Sequence, residues 1–230
     1  MNSMKMKTSF ILAALACFIL FGCLQTEGLL DIRGKIFDVD TKKSIPNRKV
    51  VIQGLNYIDH ELVPVEVGQF RTDSVGNFSY RMKKAKGAYL YDFIIVGDSA
   101  YFISMQRIGL PQLEINSDFL SFPLSKITDL AIKIERISNV PLYDTLYISW
   151  ESNGIDGRSI YPQKVTNYGI APEIEYRWIG GDVKSVIETK AFANKKTVIY
   201  LKLRRNGKKK EMSDTVFCAR DIINNFSFKY

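Results

Sequence analysis

Apolar and polar residues alternate with a period of two along most of the chain beyond residue 30. Ile32, Gly34 and Ile36 interleave with Arg33, Lys35 and Phe37, and Phe78, Tyr80 and Met82 share one face of a later stretch. Leu130, Ile132 and Ile134 alternate with Ala131, Lys133 and Glu135; Leu146, Ile148 and Trp150 alternate with Thr145, Tyr147 and Ser149. Ile174, Tyr176 and Trp178 continue the pattern, and Phe226, Phe228 and Tyr230 close it at the C-terminus. Successive side chains of a strand point to opposite faces, so this period marks half-buried strands. Further strands are expected at Val50–Ile52, Tyr89–Val96 and Tyr101–Arg107.

The breaks between these stretches are turn-rich: Asp38 to Asn47, Asp73 to Asn77, and Asn206-Gly207 between Thr197–Arg205 and Lys208–Ala219. The Asn-Gly pair predicts a type I′ hairpin, whose twist matches that of the flanking strands. Asn56 to Gln69, with Pro64 inside, reads as a protruding loop or an added edge strand. Pro111 and Pro123 bracket an irregular stretch, and Asp182 to Lys190, after the Gly180-Gly181 turn, reads as a short helix. The sum is an all-β chain of two β-sandwich domains, 30–127 and 128–230, the second immunoglobulin-like.

One run departs from the alternation. Lys5 and Lys7 precede Phe10 to Phe21, which carries almost no polar atom and ends at Gly22-Cys23. A basic start, a short apolar run and a small residue before the cut make a secretory signal. About a dozen residues fall short of the roughly 20 that a membrane-spanning helix needs. Leu20-Phe21-Gly22-Cys23 resembles the lipobox of bacterial lipoproteins. The resemblance implies a signal peptide over 1–22, a lipid on Cys23 as the first mature residue, and a tether over 23–29. It implies a lipid-anchored protein of the cell envelope, with the outer membrane as the expected location. A single acid, Glu27, follows the cysteine, so the periplasmic and outer faces both fit.

A second resemblance rests on turn residues at fixed offsets. Gly34, Ile36, Asp38, Thr41, Ile45, Pro46, Val50 and Ile52, followed by Thr72, Asp73, Gly76 and Phe78, are similar to the pattern of a carboxypeptidase-regulatory-like domain. That resemblance implies a transthyretin/prealbumin-like sandwich of about seven strands over residues 30–127. Such domains are non-catalytic appendages in many exported bacterial proteins.

Charge narrows the partners. The chain has 230 residues and a formal charge of +8. Lys5 and Lys7 are the only charges before Cys23, so the mature excess is +6. That is moderate and argues against a nucleic-acid partner. Cys17 leaves with the signal, Cys23 is assigned to lipid, and Cys218 stands alone in an apolar stretch as a buried small hydrophobe.

Candidate chemistry is sparse. His60 is the only histidine, beside Asp59 and Glu61, and no metal-ligand set accompanies it. Asp38, Asp40 and Asp73 form a carboxylate group that their turn positions explain without catalysis. No catalytic residue, metal or cofactor is therefore assigned, and the chain reads as a non-enzyme. The basic run Lys202, Arg204, Arg205, Lys208, Lys209 and Lys210 offers contact with an anionic surface or glycan, or is a solvated hairpin tip. Tyr89, Tyr91, Tyr101, Trp150 and Trp178 offer a sugar-stacking platform or strand packing. Asp-Ser/Thr-apolar triplets put Ser74, Ser99, Thr145 and Thr215 in a pattern that resembles bacterial O-glycosylation acceptors, or that simply starts strands after turns. The expected function is binding or scaffolding at the envelope, beside an outer-membrane uptake complex, with an envelope protein or glycan as partner. The alternatives are a surface carbohydrate-binding module and an adhesin or pilus-type subunit.

Overall fold

The computed structural model describes residues 28–137, 145–154, 158–161, 164–166, 169–171, 176–179 and 184–230. Two sandwiches follow one another along the chain, in agreement with the all-β expectation. The first uses β1 (Leu29–Asp38), β2 (Lys49–Ile58), β3 (Glu61–Arg71), β4 (Asn77–Lys83), β5 (Leu90–Ile95), β6 (Ser104–Gly109) and β7 (Leu120–Leu124), with one helix, α1 (Leu110–Asn116). The order β4-β1-β7 forms one sheet and β3-β2-β5-β6 the other. Ile32, Ile36, Val50, Ile52, Phe93 and Phe122 fill the space between them.

The second sandwich uses β8 (Ile127–Glu135), β9 (Thr145–Asn153), β10 (Ser159–Ile160), β11 (Lys164–Thr166), β12 (Gly169–Ala171), β13 (Tyr176–Ile179), β14 (Lys184–Phe192), β15 (Lys195–Arg205), β16 (Lys208–Cys218) and β17 (Ile223–Lys229). Its sheets run β14-β8-β17 and β10-β9-β15-β16, with β13 also on β9, while β11 and β12 pair with each other as a separate two-stranded ribbon. In both halves the first strand lies between an antiparallel partner and the last strand, which runs parallel to it. The second half thus repeats the strand order of the first. Its core is Leu130, Ile132, Ile148, Trp150, Ile199 and Leu201, with Cys218 fully buried among them as a small hydrophobe.

Several local expectations change. The segment expected as a short helix is β14, from Lys184 onward, with Ile187, Ala191 and Phe192 turned inward. Pairing with β8 over nine residues holds it as an edge strand. Of the two forms expected for Asn56 to Gln69, the edge strand is the one found: most of it is β3, joined to β2 by the two-residue turn Asp59-His60. Both turn residues have positive φ, 49° and 69°, as a type I′ turn requires. Asn206 and Gly207, at 50° and 72°, form the expected turn of the same kind. Pro123 sits within β7, an edge strand where a missing N–H costs nothing. Pro111 stands in the first turn of α1, whose own Leu113 is buried.

Strand β1 is pinned at Gly34. A Cβ there would lie 2.0 Å from the Leu120 carbonyl oxygen and 2.8 Å from the Phe78 ring. Only glycine lets β7 approach at this register. Gly34→Ala should therefore destabilise the first sandwich by about 2 kcal/mol or more, an overpacking cost. Urea unfolding checks this; an unchanged midpoint would show that β7 shifts freely.

Candidate functional site

Three regions carry functional weight: the junction between the sandwiches, the far end of the second, and the sheet face beside it. The junction is built on Asp38, the last residue of β1, which is 1% exposed. One carboxylate oxygen accepts from the backbone amides of Asp40 (3.0 Å) and Thr41 (2.9 Å), capping the turn that the sequence suggested. The same carboxylate receives the Arg220 guanidinium in two bonds, 3.0 and 2.7 Å, and the Tyr101 hydroxyl at 3.0 Å. Arg220 comes from the loop between β16 and β17, so the pair joins one sandwich to the other.

Further ties surround this clasp. Lys126 pairs with Asp221, and Asn194 Nδ2 donates to Asp40 at 3.2 Å. The rings of Phe102 and Phe192 meet edge-on at 5.1 Å. The Ile127 amide donates to the Ala100 carbonyl and the Ala193 amide to the Lys126 carbonyl, both at 2.9 Å. Arg48 pairs with Asp98 and lies over the Tyr101 ring, 4.9 Å from its centroid.

Burial pushes the Asp38 carboxyl up, but Arg220, the Thr41 amide and the Tyr101 hydroxyl together hold it well below the usual carboxylate range. Burial and the bond to Asp38 raise the Tyr101 hydroxyl, and the Asp38 bond raises Arg220. The carboxylate thus stays ionised with each oxygen satisfied, which is what a buried charge requires.

Of the candidates named from the sequence, Asp38, Asp40 and Tyr101 meet at this junction and the others fall elsewhere. Cys23 lies outside the described residues. His60 is a turn residue, in edge contact with Tyr57 at 6.2 Å. Among the described residues no group of three His, Cys, Asp or Glu is arranged to hold a metal. Asp73 accepts the amides of Val75 and Asn77, both at 2.9 Å, and so is a turn cap. Asp38 and Asp73 therefore serve separate turns rather than one carboxylate cluster. Ser74, Ser99 and Thr215 are exposed and Thr145 is half-buried at the start of β9.

Aromatic residues do not assemble as a platform from the five named. Tyr91 and Trp150 are core side chains, 0% and 2% exposed, and Tyr101 belongs to the clasp. Tyr89 is exposed just before β5, and the Trp178 side chain lies outside the described residues.

Lys202, Arg204, Arg205, Lys208, Lys209 and Lys210 do come together, on the β15–β16 hairpin. Arg205 faces Lys208 and Arg204 faces Lys209 across the strands. Lys209 pairs with Glu211 at 2.6 Å, and Arg204 lies over the Tyr147 ring, 5.9 Å from its centroid. β15 begins beside Asn194 at the clasp, so its far end carries the basic tip away from the junction. Leu29, at the start of β1, likewise lies at the end of its sandwich away from Asp38.

No protein-family model matches the sequence, and no curated protein does. Among solved structures the chain is similar to a streptococcal ancillary pilin, 13% identical with a TM-score of 0.41, over 87% of this chain and 63% of that one. It is similar to the shaft pilin SpaA of Lactobacillus rhamnosus GG, 12% identical with a TM-score of 0.36, over 88% of this chain and 98% of that one. The minor pilin of Streptococcus agalactiae gives 10% identity and a TM-score of 0.36, over 87% and 95%. All three are β-rich.

The clasp has a measurable pH signature. A carboxyl held low in the folded state contributes stability above its unfolded value, about 3.9, and that stability is lost as pH falls through and below it. Asp38→Asn takes from Arg220 its two-bonded, buried partner, leaving only the more exposed Asp221 at 3.3 Å, and should cost about 3 kcal/mol at pH 7. The gap between wild type and Asp38→Asn should then shrink as pH drops below about 4. Chemical unfolding across pH checks this; a gap independent of pH would remove the charge from the account.

Proposed function

We propose that the chain is a lipid-anchored, non-enzymatic structural protein of the bacterial cell envelope, of adhesin or pilus-type character. Cys23 holds it to the outer membrane through lipid, and residues 30–127 and 128–230 form a jointed stalk. The observation that carries this reading is the Asp38–Arg220–Tyr101 clasp. A buried, doubly bonded ion pair between successive sandwiches is a device for transmitting position, and it joins the anchored end to the end that bears the basic tip. The transthyretin-like assignment of the first half is supported by its seven strands in sheets of three and four.

In this reading the stalk presents the far end of the second sandwich to an envelope protein or glycan. Exposed Ser74, Ser99 and Thr215, with Thr145 at the start of β9, are the O-glycosylation candidates, as serine or threonine hydroxyls directly after an aspartate. A multiply acylated cysteine is a firm tether because each buried methylene contributes about 0.8 kcal/mol.

Intact mass of the mature protein, extracted in detergent from its native host, tests the anchor. The expected mass is that of residues 23–230 plus acyl chains, with added hexose-type increments if the hydroxyls are modified. A mass equal to the unmodified polypeptide would overturn both the anchor and the modification.

A further inference from the structure

The outward face of the β10-β9-β15-β16 sheet carries a groove of about 350 Å³ between β15 and β16, lined by Tyr200, Lys202, Glu211 and Ser213 with Leu201 and Met212 between them. The register explains its composition. Tyr200 faces Ser213 and Lys202 faces Glu211 across the strands. Their neighbours Leu201 and Ile199 point the other way, into the core. Period two therefore delivers a ring, a cation, a carboxylate and a hydroxyl to one surface. Tyr200 is 40% exposed there. Tyr147 and Ser149 of β9 continue the same rows on the other side of β15, opposite Lys202 and Tyr200.

We propose that this groove binds a residue of an acidic polysaccharide, a uronic-acid-type sugar, with the basic tip holding the next acidic units of the same chain. A sugar ring presents an apolar C–H face, a rim of hydroxyls and, in the acidic case, a carboxylate. Tyr200 supplies the flat apolar partner and Lys202 the counter-charge. Glu211 and Ser213 supply acceptors and a donor for ring hydroxyls. The volume sits at the lower end of the range for small-ligand sites.

A second observation extends the site toward the tip. Arg204 lies directly opposite Lys209, and Arg205 opposite Lys208. Like charges facing each other across a hairpin are destabilising. The Lys209–Glu211 pair offsets part of that repulsion; a polyanion laid along the hairpin offsets more, and it runs outward from the groove in the direction of the tip. Arg204 is already held in place over Tyr147. The proposal rests on the binding role given above and names its ligand class. It does not depend on the lipid, which the mass measurement decides separately.

The test is calorimetry on the full mature chain with three probes: a hexamer of galacturonate, a neutral hexamer of N-acetylglucosamine, and a thymidine decamer. Binding is expected for galacturonate and not for the neutral hexamer. Tyr200→Ala should weaken it about tenfold, the scale of losing one stacking contact. Lys202→Gln should weaken it and flatten its salt dependence. Both side chains face outward, so circular dichroism should report folding unchanged. Equal binding of galacturonate and the thymidine decamer, unaltered by Tyr200→Ala, would overturn the sugar assignment and leave a non-specific polyanion surface. Absence of galacturonate binding at low salt would overturn the site.

Discussion

The buried carboxylate of Asp38 is the constraint on which the rest of the molecule depends. A charge that is 1% exposed is tolerated only where its lone pairs are all engaged. Two of its partners come from its own turn, a third from Tyr101 in the same sandwich, and the fourth from Arg220, 182 residues further along. Without Arg220 the first sandwich would hold an uncompensated charge at its end. Without Asp38 the Arg220 guanidinium of the second would keep only the exposed Asp221 beside it in the chain. Each half is therefore completed by the other, although each has its own apolar core.

That completion gives the repeated strand order a direction. In each half the first strand lies in the middle of a three-stranded sheet and runs parallel to the last. The first strand of the second half, β8, starts beside the clasp and leads away from it. The described chain thus runs from Leu29, at one end, through the clasp, to the basic tip of β15 and β16 at the other. Edge chemistry keeps this arrangement from growing sideways. Pro64 in β3 and Pro123 in β7 remove donors from open edges, and lysines crowd the start of β16.

Much of the fold was legible from local pattern. The alternation around Leu130 to Glu135 and the Asn206-Gly207 pair each specify structure within a few residues, and both appear as expected. β14 was misread because Asp182 to Lys190 mixes charged and apolar residues without strict alternation; its pairing with β8 decides its form, and pairing is not local. The Asp59-His60 turn lacked the glycine that marks such turns. The turn position of Asp38 is legible from the sequence, and it does cap that turn. Its second role was invisible because no spacing rule connects residue 38 to residue 220. The groove at Tyr200 was hidden for a related reason: it appears only when the register sets Tyr200 against Ser213 and Lys202 against Glu211.

The central claim is that the clasp makes the two sandwiches one jointed unit. Distance distributions between spin labels at Ile115→Cys and Val186→Cys, on exposed positions of the two halves, test it directly. With Cys23 replaced by Ser and Cys218 buried, the labels report only the separation of the sandwiches. A single narrow distribution that broadens on Arg220→Ala is the predicted result. A distribution equally broad with and without Arg220, or equally narrow in both, would contradict the claim.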